Sequence, residues 1–141
     1  MTALPTVLLL AACLAASSAG WAHTDEQLDA MSAPHGGKVR GAGPYHLELV
    51  ASPGTLTVYV TDHRWTEQAT RGADARATVR SGTELVPISL KPAGKNRLEG
   101  HGQFAIGADT TVVVFVRIRG HDAQSARFTH LLTPQPAPAP H

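Results

Sequence analysis

The chain has 141 residues, with 12 Lys and Arg against 11 Asp and Glu, a formal charge of +1, eight histidines and one cysteine. Near-neutral charge without a basic stripe argues against nucleic-acid binding. One thiol excludes a disulfide framework or a thiolate metal cage, and the length fits a single domain.

Residues 1–22 carry no Lys, Arg, Asp or Glu, and Val7 to Ala12 form an apolar run. Gly20 and Ala22 supply the small residues of a signal-peptidase site, so 1–22 is expected to be a signal peptide and the mature chain to begin at His23. The compartment is then periplasmic or secreted. Leu10-Ala11-Ala12-Cys13 also reads as a lipoprotein cleavage box, which would anchor the chain at Cys13 instead. No later apolar segment reaches the roughly 18–20 residues of a membrane span.

Residues 23–44 form an N-terminal segment. Thr24-Asp25-Glu26-Gln27 has the spacing of a capping box, predicting a short helix to about Met31, stopped by Pro34. Pro34 to Pro44 holds four glycines, which predicts a loop with a short edge strand at Gly37–Arg40.

From Tyr45 the periodicity becomes two. Leu47 and Leu49 share one face, Leu56, Val58 and Val60 share another, and Ser52-Pro53-Gly54 separates them, predicting a β-hairpin. The expected register sets Leu49 opposite Leu56 and Leu47 opposite Val58. His46 then faces Tyr59 and Glu48 faces Thr57, on a polar outer face. Further strands are expected at 75–80, 84–90, 97–104, 110–119 and 126–132. Val112 to Val116 is apolar on both faces and predicts a central strand. His130 alternates with Phe128 and Leu132, predicting a half-buried histidine. Residues 45–133 thus read as one all-β domain, a small antiparallel β-sandwich of immunoglobulin-like outline, with a small β-barrel as the alternative. Residues 134–141 are a Pro-rich tail of disordered type.

The stretch Pro34-His35-Gly36-Gly37-Lys38-Val39, then Gly43-Pro44-Tyr45-His46-Leu47-Glu48-Leu49-Val50, resembles a pattern near the N-terminus of periplasmic adaptor subunits of heavy-metal efflux pumps. Small secreted heavy-metal-associated proteins carry a similar stretch. The resemblance covers about 18 residues and implies a metal role that attaches by position to His35 and His46. The chain departs from a full adaptor in lacking a long coiled-coil hairpin and a lipoyl-like segment.

Eight histidines in a thiol-free mature chain suit Cu(II) or Zn(II), since neutral imidazole is their common ligand. His23 would offer both imidazole and α-amino nitrogen after cleavage, as in a histidine brace. His35 precedes two glycines, and the glycine loop allows it to fold onto one ion with His46. His63 begins a turn in Asp62-His63-Arg64-Trp65 and reads as a contact surface or a solvated residue. The expected ligands are therefore His23, His35 and His46, for copper first and zinc second. The expected function is metal resistance or handover to an efflux complex. The alternative is a metal-free interaction module that docks on an envelope or efflux complex. No Gly-x-Ser-x-Gly, P-loop or paired-carboxylate pattern points to an enzyme. With two Trp, two Tyr and three Phe, a base-stacking surface is also poorly supplied.

Overall fold

The computed structural model describes residues 24–132. The expected signal peptide, His23, the Pro-rich tail and His141 lie outside the described residues. The elements in chain order are α1 (Asp25–Asp29), β1 (Lys38–Ala42), β2 (Tyr45–Ser52), β3 (Thr55–Asp62), β4 (Asp74–Ser81), β5 (Glu84–Pro92), β6 (Arg97–His101), β7 (Thr111–Arg117) and β8 (Gln124–Phe128).

All neighbours pair antiparallel, in the order β1-β2-β3-β6-β5-β4-β7-β8. The step from β3 over two strands to β4 gives β3–β6 a Greek-key order. The terminal strands β1 and β8 pack beside each other, so the sheet is nearly closed. The sandwich expectation is thereby corrected to one barrel-like sheet. The reason lies in β5, which pairs with β4 through Leu90 and then with β6 at Lys91 and Pro92, joining what would otherwise be two sheets. Pro87 falls in the stretch where β5 is flanked by β4 alone, where a missing N–H costs least.

The hairpin side chains Leu47, Leu49, Leu56, Val58 and Val60 are all buried as their alternation requires, together with Val79, Val112, Val114, Leu98 and Phe128. Their pairing differs from the expected register. Leu49 lies opposite Val58, Leu47 opposite Val60 and Ala51 opposite Leu56. The two-residue loop is Pro53-Gly54, one residue later than the expected register requires, with Gly54 supplying the positive φ. This shifts every partner by two positions, and an even shift keeps the same side chains inside. His46 consequently faces Thr61, and Glu48 faces Tyr59.

β7 is internal to the sheet, between β4 and β8, as expected. Its second face is only partly covered, however. Phe115 is 38% exposed, and the Arg76 guanidinium lies 4.9 Å from its ring centroid. His130 is also corrected: β8 ends at Phe128, and His130 is exposed at φ 54.

The capping box forms, with the Gln27 amide donating to Thr24 Oγ1 and the Thr24 amide to Gln27 Oε1. A five-residue helix needs tertiary support. Leu28 supplies it, fully buried with Ala33 and Val39 in a second apolar cluster that Met31 and Trp65 flank. Arg40 Nη1 donates to Asp29 Oδ1 at 2.7 Å and ties α1 to β1. Among the described residues no helix is long and apolar enough to cross a membrane.

Candidate functional site

The face of β2 that alternation makes polar is covered. His46 is 1% exposed and Glu48 4%, although the sequence placed both on a polar outer face. The residues that cover them come from the 28–39 segment and from the turn after β3. Trp65, which packs on Leu28, Ala33 and Val39, also lies against the His46 ring at a centroid distance of 4.4 Å.

The Pro34–Gly37 loop is held by one carboxylate. Glu48 Oε2 accepts from the His35 and Gly37 amides, each at 2.9 Å, and Oε1 lies 2.9 Å from His35 Nδ1. The two glycines have separate causes. Gly36 sits at φ +73, which disfavours any side chain, and a Cβ on Gly37 would collide with the Leu49 carbonyl. The His35 ring then stacks on Tyr59, centroids 3.5 Å apart and planes 2° from parallel. That stack follows from the register, because Tyr59 is the cross-strand neighbour of Glu48.

A second loop brings in His63. Asp62 Oδ1 accepts from the amides of Arg64 and Thr66, and these bonds hold its carboxyl below the usual carboxylate range. The tight turn puts Trp65 at φ 65, a conformation unusual for a bulky side chain. His63 Nδ1 lies 3.1 Å from His46 Nε2, and His63 Nε2 lies 2.8 Å from the Gly43 carbonyl oxygen. The His46 and His63 rings meet edge to face, with planes 84° apart. Gly43 turns the β1–β2 hairpin at φ +57, where a Cβ would also strike the Gln124 side chain.

A cavity of about 150 Å³ opens between these parts, lined by His35, His46, Glu48, Tyr59, Trp65 and Glu67 among others. The structure thus brings His35 and His46 to one cavity, but their nitrogens engage different partners. His35 meets Glu48, and His46 meets His63. Among the described residues no group of three His, Cys, Asp or Glu side chains converges as a metal cage. His101 sits apart, with Nε2 3.2 Å from Glu99 and Nδ1 3.3 Å from Thr55, and His121 and His130 are exposed elsewhere.

Sequence reasoning missed the roles of Glu48, Tyr59, Trp65 and His63. Asp62 followed by a tight turn is a signal for an Asx-type loop. That signal placed His63 beside the end of β3, but not beside His46. Comparison with protein-family models, curated proteins and solved structures finds no match.

Proposed function

We propose that this is an exported transition-metal-binding protein of the cell envelope, taking Cu(II) first and Zn(II) second, and serving metal resistance or handover to an efflux complex. The observation that carries the reading is the His46–His63 imidazole pair, nitrogens 3.1 Å apart, beside a cavity that His46 lines together with His35, Glu48 and Glu67. Imidazole nitrogens with carboxylate support suit these ions better than Ca²⁺ or Mg²⁺, which prefer all-oxygen shells. The Pro-His-Gly-Gly and Tyr-His-Leu-Glu-Leu-Val stretch supports the same reading through its resemblance to efflux-adaptor sequences. Export rests on the apolar leader, with lipidation at Cys13 as the competing form.

The test is metal stoichiometry by elemental analysis and calorimetry on protein purified after export. One equivalent of Cu(II) or Zn(II) retained through desalting is the expected result. No retained ion would overturn the reading. It would favour the metal-free docking module, for which the mostly apolar lining of the cavity, with Tyr59 and Trp65 in its wall, is the supporting observation.

A further inference from the structure

We propose that His46 and His63 form a two-imidazole chelate in which His46 binds the ion through Nε2 and His63 through Nδ1, while His35 stays on Glu48 and Tyr59 and is not a ligand. This rests on the metal-binding reading above and assigns its atoms.

The first argument is distance. Two metal–nitrogen bonds of about 2.0–2.1 Å spanning a 3.1 Å nitrogen separation subtend about 100° at the ion. That lies between the right angle of tetragonal Cu(II) and the tetrahedral angle of Zn(II). The separation suits a chelate once each ring turns its lone pair about 40° off the line between the two nitrogens and onto the ion.

The second argument is the tautomer of His63. A carbonyl oxygen can only accept, so the 2.8 Å contact with Gly43 places a proton on His63 Nε2. In the neutral ring Nδ1 then carries the lone pair, and that lone pair faces His46 Nε2. A ring N–H anchored on a backbone carbonyl is the usual outer-shell partner of a metal-bound histidine. Without metal, His46 Nε2–H donates to His63 Nδ1. Binding requires His46 to give up its Nε2 proton, so that both coordinating nitrogens present lone pairs.

The third argument is access and stiffness. His46 is fixed in β2, between β1 and β3, with Trp65 against its ring. His63 is half-buried in a turn pinned by Asp62, so the ion has a route in from solvent on the His63 side. His35 is equally fixed and reachable, but its ring engages other partners. Its Nδ1 is committed to Glu48 and its ring face to Tyr59. The ion's other positions go to water.

The test is a Zn(II) titration of the ¹⁵N-labelled protein, read through long-range ¹H–¹⁵N imidazole spectra. The expected result is a shift of His63 Nδ1 with its Nε2–H retained, a shift of His46 Nε2, and little change at His35. His63→Ala and His46→Gln should each weaken Zn(II) binding by at least the roughly 10–100-fold that loss of an outer-shell partner costs. His35→Gln should leave the affinity unchanged. His46 is buried and its variant can fail to fold, so His63→Ala, checked by circular dichroism, and the wild-type spectra decide independently. Stoichiometric binding with the shifts on His35 or on any other histidine, or an unchanged affinity in His63→Ala, would overturn the assignment while the metal-binding reading stood. No binding by the wild type would end both.

Discussion

Glu48→Ala is the most informative single change, because one buried carboxylate holds the whole Pro34–Gly37 loop. The side chain is 5% exposed and takes three contacts of 2.9 Å. Alanine would strand the buried Gly37 amide and the partly buried His35 amide. Each stranded donor costs about 1–3 kcal/mol. The His35 side chain is 41% exposed, so its contact with the carboxylate adds no more than about 1 kcal/mol after solvent screening. Together these give an expected loss of about 2–7 kcal/mol, which is a large part of the stability of a domain this size. Glu48→Gln keeps an oxygen for both amides and loses only the charge assistance, so it should cost about 1 kcal/mol. Urea unfolding with linear extrapolation measures both. A Glu48→Ala protein within about 0.5 kcal/mol of wild type would refute the reasoning. It would mean that water or a shifted loop satisfies those amides, and that Glu48 does not place His35.

Three further outcomes follow from the same structure. Leu49→Ala should destabilise by about 2–5 kcal/mol in the same urea assay, since Leu49 is 1% exposed in the core and truncation leaves a cavity. Gly37→Ala should cost about 1–3 kcal/mol, because the new methyl meets the Leu49 carbonyl and not a flexible side chain; a crystal structure of the variant should show the loop displaced and the Glu48 contacts lengthened. Asp62 has its pKa lowered in the folded chain, chiefly by the Thr66 amide, so its contribution is present at neutral pH and is lost as pH falls through that lowered value, below the ordinary carboxylate value of about 4. The Arg64 and Thr66 amide resonances should follow that titration, and pH-independent shifts would count against the turn as described.

Much of the barrel was legible because alternation decides which side chains go inside. Leu47, Leu49, Leu56, Val58 and Val60 could be assigned to the core without knowing their partners, since a shift of two residues changes every neighbour and no face. The capping box was legible for a similar reason, as Thr24 and Gln27 need only each other. Sheet closure was not. It depends on Lys91 and Pro92 reaching β6 and on β1 meeting β8, and neither contact leaves a periodic mark in the sequence.

The candidate site shows the same division between local and long-range information. Alternation correctly set His46 and Glu48 on the face opposite the leucines, and the inference that this face is wet was wrong. A period of two reports which side chains share a face, not what covers it. The cover here is Trp65 and His63 over His46, and the Pro34–Gly37 loop over Glu48, delivered by a turn and a glycine loop. Glycines signalled the loop that carries His35. What the loop does with that histidine was decided 13 residues away by Glu48, and the partner of His46 was decided 17 residues away by the turn at Asp62. A histidine on a strand is therefore better judged by the loops that pack over its face than by its own neighbours in sequence. By that standard His63, which the sequence presented as a solvated turn residue, is the stronger companion for His46 than His35 is. The reason is chemical as well as spatial. The Gly43 carbonyl fixes the proton of His63 on the far nitrogen and leaves a lone pair facing His46, whereas the His35 ring is turned to Glu48 and Tyr59.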